Sequence, residues 1–186
     1  MENWNRFLLN EAAKTAEELP EHVYITIKGN KNLFHVTYTD INGKEKISPY
    51  GKIVCTGVDK EAPCGGAMQI GIAYAPSGWG PLLYDVAMEH ASKIANGLTA
   101  GRISVSGAAR SVWKYYMSKR QDVVPHQLDD VHNTLTNQDE DNCIQTSSRG
   151  RWGEQEYWEF SPLSKRYTKE PTVIQQLKKM GKLLYV

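Results

Sequence analysis

Apolar and polar positions along the first half of the chain follow two different periods. Trp4, Phe7, Leu8, Ala12, Ala16 and Leu19 recur at helical spacing, and Pro20 closes the segment. Val23, Ile25 and Ile27 then alternate with polar neighbours, which predicts a strand. Gly29, Asn30, Lys31 and Asn32 form a turn, and the alternation resumes over residues 33–39 with Phe34, Val36 and Tyr38 on one face. Asn42-Gly43 is a hairpin signal. The following strand is expected over residues 46–48 and 52–56, interrupted at Pro49. A loop with Pro63 and the pair Gly65-Gly66 leads to an apolar strand over residues 67–74.

The period then lengthens. Leu83, Val86, Ala87, His90, Ala91 and Ile94 predict a helix, with Asn96-Gly97 as its left-handed stop. Residues 98–105 read as a strand, and Ser106 as the cap of a helix whose stripe is Ala109, Val112, Trp113 and Tyr116. A further strand fits residues 122–128. Residues 133–172 are polar and rich in turn formers, with Trp152, Tyr157, Trp158, Phe160 and Tyr167 scattered among them. They read as an irregular arm that packs through its rings. Pro171 opens a last helix with the stripe Val173, Leu177, Met180 and Leu184. The expected architecture is α/β, of the α+β type. An N-terminal helix and an antiparallel meander precede a β-α-β-α-β run, giving a mixed sheet with helices on both faces. Residues 1–132 form the core, and 133–186 the arm and helix packed on it, in one domain.

Composition narrows the partners. With 186 residues and a formal net charge of +1, the chain carries no global field to recruit nucleic acid or a membrane. No apolar run approaches the roughly 18–20 residues that span a bilayer. The first residues lack the charged and apolar regions of a secretory signal. Cys55, Cys64 and Cys143 are an odd set without a C-x-x-C pair, so reduced thiols in a cytoplasmic protein are expected rather than a disulfide framework or zinc ribbon.

The candidate chemistry lies in residues 74–86. An apolar strand enters a loop with Gly78 and Gly80, and a helix follows at once. Such a junction presents backbone N–H groups at the positive end of a helix, a setting that holds phosphate. In this context Ala75-Pro76-Ser77-Gly78-Trp79-Gly80 resembles the Q/R-x-x-G-x-G/A motif of the GNAT superfamily of acyl-CoA-dependent N-acyltransferases, with Ala75 in place of the leading basic or amide residue. Ser106, Ala109, Val112 and Trp113 match the spacing of that family's next landmark, after its fifth strand. The resemblance covers about a third of the chain, residues 68–129. The runs GWGPLLYDVAMEHAS, VWKYYMSKR and DVVPHQLDD also resemble GNAT-like proteins of tailed phages, which would place the protein in the host cytoplasm.

The resemblance implies an acetyl-CoA or other acyl-CoA cofactor. Backbone N–H groups over Ser77, Gly78, Trp79, Gly80 and Leu82 would take the pyrophosphate, Pro81 having none to give. The strand ending at Tyr74 would splay from its neighbour, with residues 127–129 across the gap, and pair with the pantetheine amides. A backbone N–H near Ile72 or Ala73 would polarise the thioester carbonyl. A primary amine on a protein, a small molecule or a modified nucleobase would attack directly. The family's usual acid is a tyrosine in the helix after the fifth strand. Trp113 stands there, and Tyr116, one turn on, is the substitute, or else a core aromatic. The strand over residues 68–74 has no acid, so His35, His126 or Asp129 are the candidates for a base, each with a structural alternative.

Other groups point to less. His126, His132, Asp129 and Asp130 match no tight ligand spacing, and Asp139-Glu140-Asp141 lacks the glycine of a calcium loop. Arg149, Arg151, Lys165, Arg166 and Lys169 interleave with aromatics as single-strand binders do, but Glu154, Glu156 and Glu159 interrupt them, favouring packing and salt links. The rival to an enzyme is an inactive GNAT-like binding or structural protein, such as a phage component or host-factor inhibitor. The missing strand acid and the Trp at the usual Tyr position motivate it. The sequence selects neither an acceptor nor an oligomeric state.

Overall fold

The computed structural model describes residues 13–45, 51–58, 63–76, 78–129, 134–143 and 158–186. Among them are eight strands in one mixed sheet and three α-helices. The helix expected around Trp4, Phe7 and Leu8 lies outside the described residues. In the described part of that segment, Ala16–Glu18 is a short 3-10 turn, in which Thr15 and Glu18 form a capping box.

The meander appears as the alternation predicts. Strands β1 (Tyr24–Gly29), β2 (Leu33–Thr39), β3 (Lys52–Gly57) and β4 (Met68–Tyr74) pair antiparallel in sequence order. Ile25, Ile27, Phe34, Val36, Tyr38 and Ile53 are all buried, one face of the pleat being turned to the core. The Asn42-Gly43 turn is closed by Asp40, whose carboxylate accepts the N–H groups of Asn42 and Lys44 at 2.9 and 3.0 Å.

Helix α1 (Gly80–Ile94) connects β4 to β5 (Leu98–Thr99), which runs parallel to it. Leu83, Val86, Ala87 and Ala91 join the core as the stripe predicts. The helix is also buried on its other sides, at Tyr84, Asp85, Met88 and Glu89, because β7 and the last helix pack against it. Helix α2 (Gly107–Lys119) starts where expected, with Ser106 Oγ accepting the Ala109 N–H at 3.2 Å. Strand β6 (Val123–Gln127) follows.

Four expectations are corrected. The strand over residues 98–105 stops at Thr99. The Arg102 side chain turns inward and donates to Thr99 Oγ1 and the Leu163 carbonyl, both at 2.9 Å, drawing the chain out of the sheet. Residues 133–172 are not irregular throughout: β7 (Lys165–Lys169) lies inside the sheet, antiparallel to both β5 and β6. Only Tyr167 marks it as apolar, and the buried Lys169 is neutralised by Glu89. The last helix, α3 (Thr172–Lys179), does not reach Leu184. Gly181, at φ 65°, ends it in a Schellman motif. Its N–H donates to the Lys178 carbonyl and that of Lys182 to Leu177, at 3.0 and 2.8 Å. Leu184 then belongs to β8 (Leu183–Tyr185), parallel to β1. Cys64 and Cys143, expected reduced, form a disulfide across 79 residues, a separation no local spacing reveals. Cys55 is free and buried.

The sheet order is β6-β7-β5-β4-β3-β2-β1-β8. No helix among the described residues is long and apolar enough to cross a membrane.

Candidate functional site

The parallel pairing of β4 and β5 is two residues long, Met68 with Leu98 and Gln69 with Thr99. Beyond it the strands part, and β4 has no ladder partner on that side among the described strands. At the same place β4 bulges: Cys55 pairs with Ile70 and Val54 with Ile72, leaving Gly71 as the extra residue. After the bulge the facing reverses. Ile72 is exposed and Ala73 packs against the core.

The cleft so formed is a cavity of about 280 Å³. One wall is β4 from Ile70 to Ala73; the other is the chain leaving β5, at Gly101 and Ser104–Ser106. Ala109 and Trp113 of α2 and Tyr84 of α1 complete it. Gly101 sits so close to β4 that a Cβ there would meet the Ile70 carbonyl oxygen at 2.8 Å. Arg102 fixes the far wall. Its N–H donates to Gln69 Oε1 at 3.1 Å, and its guanidinium reaches the Cys143 carbonyl at 3.4 Å.

Of the residues singled out in the sequence, Ile72, Ala73 and Trp113 line this cavity together. Trp113 is buried, stacked on Tyr167 with ring centroids 4.9 Å apart. Tyr74, at the end of β4, and the residues Gly78, Trp79, Gly80, Pro81 and Leu82 are not in its lining. Ser77 lies outside the described residues. The glycine loop is held from its carbonyl side. Gly78 O accepts the Lys14 N–H, and Trp79 O accepts the Tyr38 hydroxyl, both at 2.8 Å. The Trp79 N–H turns back to the Pro76 carbonyl at 3.2 Å. Helix α1 starts at Gly80 with no side-chain cap, so the N–H groups of its first turn have no partner four residues back.

Tyr116 is buried in the core. Its hydroxyl donates to Asp85 Oδ1 at 2.9 Å, and Arg120 donates to the other oxygen of that carboxylate at 3.0 Å. Burial, and then the Asp85 charge, push the Tyr116 hydroxyl well above its ordinary range. Burial also raises Asp85, with Arg120 opposing. Tyr116 is not in the cavity lining.

None of the three candidate bases lines the cavity. His35 stands on β2, opposite Val54. His126 shares a 2.8 Å hydrogen bond with Thr168 Oγ1. Asp129 accepts the N–H of Leu135 at 2.8 Å and that of Thr136 at 3.2 Å. No group of three or more His, Cys, Asp or Glu among the described residues is arranged to hold a metal ion. Arg149, Arg151, Trp152 and Tyr157 lie outside the described residues. Trp158 and Tyr167 face inward, donating to the carbonyls of Leu128 and Pro162 at 2.7 Å each.

Sequence reasoning did not place Gly71, Gly101 or Tyr84 in the site. A glycine within a strand is a recognised bulge signal, and Gly71 carries it. Tyr84 had no such signal, since its position falls off the apolar stripe of its helix. No known family's sequence profile, no curated protein and no solved structure matches the chain.

Proposed function

We propose that the protein is an acyl-CoA-dependent N-acyltransferase with acetyl-CoA as its donor. The observation that carries this reading is the parting of β4 from β5 at a bulge, over a cavity roofed by α2. A β edge without a ladder partner is suited to pair with the amides of an extended pantetheine arm, as an added strand does. The bulge at Gly71 breaks the regular ladder and turns main-chain groups away from β3, where an N–H of Ile72 or Ala73 can meet a thioester carbonyl. The α1 N-terminus follows β4 and offers its first-turn amides to a diphosphate. An amine then attacks the thioester directly, the C–N bond forming as the C–S bond breaks, and positioning supplies much of the rate.

Isothermal titration with acetyl-CoA, CoA and dephospho-CoA tests this. Saturable binding of acetyl-CoA, competed by CoA, is expected. No heat and no competition at millimolar ligand rejects it.

A second reading is a GNAT-like binding or structural protein without turnover. The observation favouring it is the absence, among the described residues, of a carboxylate or imidazole from the cavity lining, together with the engagement of Tyr116 by Asp85. Gly80→Glu separates the two readings. Loss of CoA binding with the cellular phenotype or partner binding unchanged supports the second.

A further inference from the structure

A second cavity, of about 330 Å³, shares no residue with the β4–β5 cleft. Its volume falls within the range of about 300–1,000 Å³ found for sites that hold small molecules. Among the described residues no apolar side chain lines it. His126 and Arg166, register partners on β6 and β7, come from the sheet. Thr136, Glu140 and Asp141 come from the segment over residues 134–143.

Asp141 is only 6% exposed, and its Oδ1 is buried without a hydrogen-bond partner. It is the one such side-chain atom among the described residues. A buried carboxylate oxygen ordinarily has a donor. The other oxygen accepts the Thr136 hydroxyl at 2.5 Å, which holds the side chain in place. The backbone is fixed as well, since the Asp141 carbonyl accepts the Asp129 N–H at 3.2 Å, two residues before the bridged Cys143. Arg166 is positioned with equal care. Its Nη1 donates to the Asn96 carbonyl at 3.0 Å, and its stem passes over Gly65, where a Cβ would meet Nε at 2.9 Å. Arg166 and Asp141 are near enough for each charge to act on the other's proton affinity, yet no ion pair joins them. Both charges line the cavity instead of closing on each other.

We propose that this cavity binds a free amino acid with a short polar side chain, whose ammonium donates to Asp141 and whose carboxylate accepts from Arg166. The site does not depend on the acyl-CoA reading. Glu140 carries a second, exposed carboxylate at the same cavity and adds to the attraction for an ammonium. Burial first, then the charges of Asp129 and Glu140, raise the proton affinity of Asp141, and a ligand cation beside it relieves that load. Burial, with the Arg166 charge second, lowers that of His126, which leaves Arg166 as the cation a ligand carboxylate meets. The amides of Asn96 and Gln138 complete a lining suited to a polar side chain and not to an apolar one.

L-Serine, L-asparagine and L-glutamine are titrated into the isotope-labelled full chain, followed by nuclear magnetic resonance. Each is compared with the amine that lacks its carboxylate and the acid that lacks its ammonium; for serine these are ethanolamine and 3-hydroxypropionate. Saturable shifts of the Arg166 Nε–H and the Asn96 side-chain amide are expected with at least one of the three amino acids. Its two truncated analogues should each bind about tenfold more weakly or worse, having lost one charged hydrogen bond. Arg166→Gln should bring the amino acid down to the affinity of the amine, and Asp141→Asn to that of the acid. If either variant fails to fold, the comparison of analogues on the wild type decides. An amine that binds as tightly as its amino acid would reduce the site to an acidic patch and overturn the proposal. So would the absence of any saturable shift with the three amino acids at millimolar concentration.

Discussion

Gly101 faces the Ile70 carbonyl oxygen across the fork of the sheet, with room for a hydrogen but not for a methyl group, since a Cβ would stand 2.8 Å from that oxygen. The contact lies just past the last β4–β5 pair, Gln69 with Thr99, so it sets how abruptly the strands separate. The atoms it would meet, the Ile70 carbonyl oxygen and then the Ser104 carbonyl oxygen at 3.3 Å, are both backbone, which cannot rotate out of the way.

Gly101→Ala should therefore force the wall at 101–106 away from β4 and change the width of the cleft. The expected cost is about 1–3 kcal/mol of stability, the range for overpacking a tight site. On the proposed acyl-CoA reading, affinity for the coenzyme should fall more than the stability does, because the displaced wall is part of the cavity. Chemical denaturation and calorimetric binding on the same sample check this. Unchanged affinity with lowered stability would separate the contact from the site.

At the other side of α1, Lys169 Nζ and Glu89 Oε1 lie 2.5 Å apart, with side chains 1% and 0% exposed. The Glu89 carboxylate also accepts the N–H groups of Val173 and Ile174 at 2.9 and 2.7 Å, so it caps α3 from a neighbouring helix. Lys169→Met would leave that carboxylate buried without its cation, at a cost of about 3–5 kcal/mol. The double variant Lys169→Met with Glu89→Gln should recover part of the loss, the amide oxygen still capping α3. Urea denaturation of the two variants measures the difference. Equal instability of both would show that the charge pair is not what holds β7 to α1.

That pair explains what was legible in the sequence. The meander was, because Val23, Ile25, Ile27, Phe34, Val36 and Tyr38 alternate on a sheet with one face in the core. The start and stop of α1 and the start of α2 were, through Gly80, Gly97 and the Ser106 cap. β7 was not, since KRYTK shows one apolar residue and its inward Lys169 is neutralised by Glu89, 80 residues away, with Asp122 also 3.3 Å from its ammonium. The end of α3 was missed at Gly181, whose left-handed conformation is a local signal that the apolar spacing of Leu184 overrode. Of the residues lining the cavity, Ile72, Ala73 and Trp113 are among those the resemblance names, whereas Tyr84 depends on which face of α1 meets the cleft, a tertiary fact.

The Cys64–Cys143 bridge closes a segment with a sequence separation of 79. By loop entropy alone such a crosslink is worth about 4.5 kcal/mol. Cys143 also presents its carbonyl to Arg102, which fixes the outer wall of the cleft. Cys143→Ser, or reduction of the wild type under native conditions, should lower the melting temperature and, on the proposed acyl-CoA reading, weaken CoA binding in parallel. Differential scanning fluorimetry with and without reductant, repeated with saturating CoA, checks both effects. A wild type indifferent to reductant would show the bridge contributes nothing to either.

His90 gives the stability a pH dependence of definite sign. Its ring packs edge-on to Phe34 at 4.8 Å and lies 6.3 Å from Tyr185. Burial first, and Lys93 second, lower its proton affinity below the ordinary histidine range. Burial acts in the same direction on His35 and His126, helped by Lys52 and Arg166 respectively. A histidine whose pKa is lower folded than unfolded leaves the unfolded chain binding more protons between the two values. Stability is then fully present above the unfolded value of about 6.5 and declines as pH falls through the folded one. Asp85 and Asp141, whose proton affinities are raised chiefly by burial, act oppositely at lower pH, where protonation favours the folded chain. The melting temperature should accordingly fall on acidification from about pH 7 to pH 5. His90→Phe keeps a ring against Phe34 and removes the titration, so its melting temperature should fall less over that interval. An identical slope in the variant would assign the acid sensitivity to His35 and His126 instead.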